Sequence, residues 1–312
     1  MKSRPFLSIV SPVYRAEKIV DELVLRIREE AVKITPDFEI ILVEDCGPDN
    51  SWSVIQKNCE MFPEVKAIKL SRNFGQHFAI TCGLDYAEGD YVIVMDCDLQ
   101  DNPIYFKDFL KQCKDGYDIV YSIKSVRNHN FFKDAFAGIF VKIFNYLIEN
   151  KNNKTDSLIG SYSMLSRKAV IAYRSFGDYQ RHYLMVLRWI GFDSTSIQIQ
   201  HESRFEGKSS YTFGKLMHHA LNGITSQSDK LLRLNVSFGI ILSIFAFIGI
   251  IFILAGYVTH GYLSGWASLI ITVLFSTGVL LTSIGILGIY LGKTFEQTKN
   301  RPKYIVNKQL NF

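Results

Sequence analysis

Tyr91-Val92-Ile93-Val94-Met95-Asp96-Cys97-Asp98-Leu99-Gln100-Asp101 is the stretch on which the reading of this chain turns. Its first five residues form a short, continuous apolar run, the pattern of a strand buried on both faces of a parallel sheet. Acidic residues follow at once. In open α/β sheets ligands collect at the carboxyl ends of the strands, so this run predicts a site at Asp96 and Asp98. If the chain bends after the strand, two carboxylates two residues apart can reach one hard cation. Mg2+ or Mn2+ held by so few protein groups completes its shell with phosphate oxygens, which implies a diphosphate ligand. The alternative is an ordinary strand-to-helix turn, with Asp101 or Asn102 capping a helix that opens at Pro103.

Upstream, the same unit recurs. Phe6-Leu7-Ser8-Ile9-Val10 is an apolar strand, followed by Ser11-Pro12-Val13-Tyr14-Arg15-Ala16-Glu17 and an amphipathic stretch to about Val32. Phe38 to Val43 is a second strand and ends in Glu44-Asp45-Cys46-Gly47-Pro48-Asp49-Asn50-Ser51. Val65 to Leu70 is a third and ends in Ser71-Arg72-Asn73-Phe74-Gly75-Gln76-His77. Strands alternating with helical segments predict an α/β fold with a mainly parallel sheet, and right-handed crossovers bring the strand ends to one face. Tyr14, Asp45, Arg72 and the Asp96/Asp98 pair thus converge: Tyr14 to stack on a base, Asp45 to accept from uracil or ribose, Arg72 to pair with phosphate. Each also has a plain structural alternative, as packing, turn former or solvated surface. Neither G-x-G-x-x-G nor G-x-x-x-x-G-K-[ST] follows any of these strands, so phosphate has to be held through a metal and side chains.

Composition divides the chain. Its 312 residues allow two domains, and a net charge of +5 is too mild for a nucleic-acid binder. No Asp, Glu, Lys or Arg occurs from Leu234 to Gly292. Val236 to Val258 and Trp266 to Leu291 are each long enough to cross a bilayer, with Gly261 and Gly265 in the turn between them. Lys230 and Arg233 precede the first span, while Lys293, Lys299, Arg301, Lys303 and Lys308 follow the second. The positive-inside rule then places both flanks in the cytoplasm of a multi-pass inner-membrane protein. Tyr257, Tyr262 and Trp266 fit an aromatic belt on the far side. Cys46, Cys59, Cys82, Cys97 and Cys113 are odd in number and lack metal-ligand spacing, which reads as reduced thiols in a cytosolic domain. Met1-Lys2-Ser3-Arg4-Pro5 reads as no signal peptide. The expected divisions are 1–211, a cytoplasmic domain; 212–233, an interfacial amphipathic segment; 234–292, the hairpin; and 293–312, a basic tail.

In the middle of the chain, Asp118 to Ile123 reads as a further strand leading into the polar loop Lys124-Ser125-Val126-Arg127-Asn128-His129-Asn130. Phe131 to Ile148 suits a helix at a membrane surface or an ordinary core helix. From Thr212, Phe213, Leu216, Met217, Ala220, Leu221 and Ile224 recur at helical spacing. His218 and His219, being adjacent, point in different directions and read as interfacial polar residues.

Ser8 to Tyr14, Val43-Glu44-Asp45, Ser71 to His77 and Asp96 to Asp101 together resemble the successive motifs of the family-2 inverting glycosyltransferases. More narrowly, the chain is similar to the polyisoprenyl-phosphate glycosyltransferases, the group of dolichol-phosphate mannose synthase and the bacterial enzymes that load sugars onto undecaprenyl phosphate. The likeness continues through Gly160 to Arg167, Arg204 to Tyr211, Leu287 to Lys293 and Arg301 to Tyr304. It implies a nucleotide-diphospho-sugar transferase fold followed by interfacial helices and a transmembrane hairpin. It also implies that Pro12, Tyr14, Glu17, Asp45, Arg72, Asp96 and Gln100 bind the donor and that Asp96, Asp98 and Gln100 hold Mg2+ or Mn2+. Arg204 and Lys208, with Arg181 as a third candidate, would bind the acceptor phosphate; Asp98, Arg204 and Lys208 would carry catalysis.

The chain departs from that family at two positions. Members often carry an acid after the glycine matched by Gly160, where this chain has Ser161, leaving the general base open between Asp156, Asp178 and none. A phosphate monoester is already anionic at neutral pH and needs little help. Ser210 stands where Lys is common, and Lys208 is placed to supply the charge. The expected activity is inverting transfer of a sugar from a nucleotide-diphosphate donor, a UDP-sugar by the bacterial likeness, to a polyprenyl phosphate at the cytoplasmic leaflet. A homo-oligomer is left open. The alternatives are a membrane-anchored sugar-nucleotide binder without turnover and a transferase acting on a glycan. A processive synthase would need Q-x-x-R-W, and Met185 stands at the Gln position before Arg188-Trp189.

Overall fold

The computed structural model describes residues 4–124, 159–179, 181–200, 230–260 and 265–312. They fall into two compact units, one holding the described residues up to 200 together with 301–312, the other residues 230–300.

The first unit is built on one mixed sheet of eight strands. β1 (Leu7–Val13), β2 (Phe38–Glu44) and β3 (Val65–Leu70) run parallel, and β4 (Tyr91–Val94) pairs parallel with the other edge of β1. Three helices make the crossovers: α1 (Val20–Val32), α2 (Ser51–Met61) and α3 (Gln76–Tyr86). All seven positions of β1 and all seven of β2 are buried, which is why their sequences are mainly apolar on both faces, with Ser8, Ser11, Glu39 and Glu44 buried among them. On α1, Val20, Leu23, Val24, Ile27 and Ala31 are buried, one helical stripe against the sheet. Gly83 lets α3 lie tight on β1: a Cβ there would collide with Val10 Cγ1.

Beyond β4 come β5 (Ile119–Lys124), β6 (Ile159–Ser166) and β7 (Ser194–Ile199). β6 lies antiparallel between β4 and β5, and β7 runs parallel to β5. α4 (Phe106–Lys114) buries Phe106, Phe109, Leu110 and Cys113. α5 (Arg167–Ser175) starts at Ser166, whose Oγ accepts from the Ala169 N–H, and α6 (Tyr183–Ile190) stops at Gly191 in the left-handed region, φ +71°. The sheet order is β7-β5-β6-β4-β1-β2-β3-β8. The expected strands over 38–43, 65–70, 91–95 and 118–123 are all present to within a residue or two.

The edge strand β8 (Val306–Leu310) corrects the expectation of a basic tail over 293–312. It adds antiparallel to β3, and the Ser71 N–H donates to Ile305 O at 2.9 Å. Tyr304 Oη donates to Asp85 Oδ2 at 2.9 Å, and Asn311 Nδ2 donates to Cys59 O and Val65 O, each at 2.8 Å. Arg301, Lys303 and Lys308 dominate the reading of charge, but Tyr304, Val306 and Leu310 alternate at a strand's period and turn half-buried to the unit.

The second unit contains α7 (Lys230–His260) and α8 (Trp266–Thr298). At 31 and 33 residues they run about 46 and 50 Å, against a hydrocarbon thickness of about 30 Å. Segments Lys230–Gly249 and Phe275–Thr298 are apolar enough to cross a membrane. Ser283 Oγ donates to Asn235 Oδ1 at 3.0 Å, a polar tie between the two helices of the kind that pairs helices in lipid.

Candidate active site

The site grows from the divergence of β1 and β4. Val10 O accepts the Met95 N–H at 3.0 Å, while Val13 O accepts the Asp45 N–H at 2.9 Å. Residues alternate sides along a strand, so Pro12, like Val10, faces β4. It has no N–H to prolong the ladder, and the two strands part there. Because β2 and β4 flank β1 on opposite sides, this is the switch point of the sheet, where a crevice opens.

Past β4 the chain bends, as two carboxylates sharing one cation would require. Leu99 takes a left-handed φ of +60° with only 3% of its surface exposed. The Gln100 N–H donates to Asp98 Oδ1 at 3.1 Å, closing an Asx turn. Asp101, 4% exposed, accepts the Asp96 N–H at Oδ2, 3.0 Å, and so braces the bend rather than capping a helix. The cap is Asn102, whose Oδ1 accepts from Ile104 N at 3.0 Å with Pro103 opening a 3-10 turn. Tyr162 Oη donates to Asn102 O at 2.8 Å and ties the bend to β6.

The Asp96 carboxylate is held from two sides. Gln76 Nε2, on the first residue of α3, donates to Oδ1 at 2.6 Å, and Ser161 Oγ, on β6, donates to Oδ2 at 3.1 Å. The second contact follows from register: Val94 pairs with Ser163 across the antiparallel ladder, so two residues further Asp96 stands opposite Ser161.

At the end of β2, Asp45 is 3% exposed and accepts the Phe74 N–H at Oδ1, 2.7 Å, and the Gly75 N–H at Oδ2, 2.8 Å. Burial pushes its carboxyl above the usual range, and the two amides pull it part of the way back. Gly75 supplies φ +100°, which the turn into α3 needs. Asp45 therefore anchors the loop after β3, and its oxygens keep lone pairs for a base or ribose donor. Tyr14 is 42% exposed, with the Arg15 guanidinium 5.3 Å from its ring centre. Arg72 lies over Phe74 at 4.5 Å. Glu17 accepts from Asn50 N and Asn50 Nδ2, both at 3.2 Å, and joins the loops after β1 and β2.

Arg181 is placed differently from the expectation of an acceptor-binding cation. It is 2% exposed and points at backbone carbonyls around the end of α5: Tyr173 at 3.3 Å, Asp178 at 3.4 Å and Arg174 at 3.5 Å. Arg204, Lys208 and Ser210, the loop over 125–130, the helix expected over 131–148 and the amphipathic segment from 212 lie outside the described residues. Gln76, Asp101 and Ser161 are the site residues that sequence reasoning did not assign. Gln76 sits inside a motif already singled out, and the other two needed the bend and the strand pairing.

The donor set suits a divalent cation. Among the described residues no cluster of three or more His, Cys, Asp or Glu forms a protein cage, so the oxygens of Asp96 and Asp98 call for a ligand that brings more. Cys97 between them stays a thiol, since burial pushes it up to about 12. Gln100 adds a neutral oxygen on the same turn.

Comparison with known proteins agrees with this fold. Residues 8–174 match the family described as glycosyl transferase family 2. An uncharacterized glycosyltransferase, YkcC of Bacillus subtilis, is 31% identical over 307 residues, covering 96% of this chain and 93% of that one. A prophage bactoprenol glucosyl transferase homolog of Escherichia coli is 30% identical over 304 residues, covering 97% and 98%. The crystal structure of glucosyl-3-phosphoglycerate synthase from Mycobacterium tuberculosis with Mn2+, UDP and phosphoglyceric acid shares the fold, with a TM-score of 0.51 at 13% identity over 74% of this chain and 78% of that one. With its motifs at the ends of β1 to β4 and relatives matched over nearly their whole length, the chain belongs to glycosyl transferase family 2.

Proposed function

We propose that this glycosyltransferase moves a sugar from a nucleotide-diphosphate donor, UDP-sugar in the simplest form, to a polyprenyl phosphate, with inversion, at the cytoplasmic leaflet of the cell membrane. The observation that carries the reading is the Asp96–Asp98 bend at the switch point of the sheet. The bactoprenol glucosyl transferase relatives and the two apolar helices support a lipid acceptor. Both helices lie between stretches of one compact unit, and an even number of crossings returns the chain to the side it left. With Lys230, Arg233, Lys293 and Lys299 at the flanks, that side is the cytoplasm.

Tyr14 is exposed for stacking on the base, and Asp45 fixes the loop from which Arg72 reaches phosphate. Asp96 and Asp98, with Gln100, would hold Mg2+ or Mn2+; when bound, the cation neutralises the charge that gathers on the departing diphosphate. Gln76 and Ser161 keep Asp96 aimed. Arg204 and Lys208 draw in the acceptor phosphate, whose oxygen attacks the anomeric carbon opposite the leaving group.

The test is transfer of radiolabelled sugar to undecaprenyl phosphate in vesicles, across a panel of UDP-, GDP- and dTDP-sugars, with Mn2+ or with EDTA. A metal-dependent lipid-linked product is expected. Ser161 favours a second reading, a sugar-nucleotide binder without turnover, which nucleotide-sugar binding with no product from any donor would select.

A further inference from the structure

We propose that Tyr304, in the tail that follows α8, is a positioning residue for donor binding: with Ile305 it braces both ends of the segment that carries Arg72 and donates to Asp45. This deepens the donor half of the reading above and rests on it. Arg301-Pro302-Lys303-Tyr304 takes no part in the chemistry described there, yet the first unit builds this stretch and the residue after it into its structure at three points. Lys303 Nζ donates to Phe176 O at 3.1 Å. Tyr304 Oη donates to Asp85 Oδ2 at 2.9 Å, on the last turn of α3. Ile305 O accepts the Ser71 N–H at 2.9 Å, one residue past β3.

Between Ser71 and Asp85 lie the donor-side groups of this segment. Arg72 and Asn73 are exposed, the Phe74 and Gly75 N–H groups donate to the Asp45 carboxylate, and Gly75 opens α3. Two adjacent tail residues therefore close a ring of contacts that runs from Ser71 through the loop and α3 to Asp85, Tyr304 and Ile305. The root of the loop is held on its other side as well, since Cys46 Sγ donates to Ser71 O at 3.9 Å. Phe74, Tyr304 and Val306 pack against one core cluster with Ala79, Ile80 and Leu84 of α3, so a shift of the tail moves the wall on which the loop rests. Burial pushes the Tyr304 phenol far above its usual range, so it remains a donor to Asp85 at neutral pH. Arg72 reaches the diphosphate, and Asp45 a base or ribose donor, from the geometry these ties set. Their loss therefore falls on the donor and not on the acceptor.

The test uses the full-length protein in detergent as wild type, Tyr304→Phe, Asp85→Ala and the double variant. Tyr304→Phe keeps the ring and removes only the hydroxyl. Calorimetry with Mn2+ and a panel of UDP, GDP and dTDP should show the affinity for the bound nucleotide falling about three- to tenfold in each single variant, part of what a hydrogen bond to a charged group contributes. It should fall no further in the double variant, because the two residues act through one bond. Hydrogen exchange at the Phe74 and Gly75 amides should quicken, and the KM for a short-chain prenyl phosphate should stay at the wild-type value. Wild-type nucleotide affinity in Tyr304→Phe, or losses that multiply in the double variant, overturns the positioning role. So does an acceptor KM that rises as much as the donor KM, the mark of a general loosening. A wild type that binds no nucleotide of the panel overturns the donor reading, and exchange at the Phe74 and Gly75 amides then decides the brace by itself: faster exchange in Tyr304→Phe supports it, and unchanged exchange overturns it.

Discussion

The ends of β2 and β4 look alike in sequence, each an apolar strand running into acids, yet the structure uses them in opposite ways. Asp45 is buried, and both of its oxygens take backbone N–H groups of the next loop. Asp96 is half-buried, and its oxygens take side-chain donors from two different elements. A carboxylate bonded to backbone shapes the chain, whereas one steadied by side chains beside a diverging pair of strands stands where the proposed ligand would bind. The difference traces to Pro12, which ends the β1–β4 ladder, while β1 and β2 stay paired through Val13 and Glu44.

The comparison is sharpest at the second acid of the β4 bend. Asp98→Asn should lower kcat/KM for sugar transfer about a thousandfold, the scale of losing a group that stabilises developing charge, with a thermal midpoint close to wild type. At the β2 end the balance should reverse. Asp45→Ala leaves two half-buried amides without their acceptor and should cost about 1–3 kcal/mol in urea unfolding, with donor KM raised as the loop after β3 loosens. An Asp45→Ala protein of wild-type stability would break the distinction between the two strand ends.

Smaller effects follow. Gln76→Ala should weaken Mn2+-UDP binding about fivefold in calorimetry with little loss of stability, because the Asp96 partner it removes is exposed. Asp118, which precedes β5 at the opposite rim of the sheet, serves as a control. Burial raises its pKa, but hydrogen bonds from Lys168, at 2.8 Å, and Ser166, at 2.7 Å, outweigh it and leave the carboxyl below its usual value. A depressed carboxylate contributes stability above its unfolded pKa of about 4 and loses it as pH falls through the folded value. Asp118→Asn should therefore cost under about 1 kcal/mol at neutral pH, progressively less as pH falls through the folded value, and leave Mn2+-UDP binding at neutral pH intact. Stability measured from pH 7 down to about pH 2, and binding measured at pH 7, check both halves.

The parallel half of the fold was legible because burial on both faces writes continuous apolar runs: Ile40 to Val43 and Tyr91 to Met95 announce their strands, and the acids after them announce the rim. The helical pair was legible from the charge-free stretch over 234–292. What escaped was non-local. Ser161 meets Asp96 only through the antiparallel register of β6 on β4, a pairing of residues 65 apart. Asp101 reads as a helix cap until Leu99 is seen to turn left-handed. Arg181 reads as a phosphate ligand because charge is visible in sequence and burial is not. β8 was hidden by Lys308, by the basic residues just before the strand, and by the two long helices between it and β3.

The central claim is that Asp96 and Asp98 together bind a cation that carries the nucleotide diphosphate. Titration of the protein with UDP at fixed Mn2+, followed by the loss of the free Mn2+ electron paramagnetic resonance signal, reads this directly. Cooperative uptake of Mn2+ with UDP by the wild type, absent in Asp96→Asn/Asp98→Asn, is the predicted result. Equal uptake by the double variant would place the cation elsewhere and contradict the account.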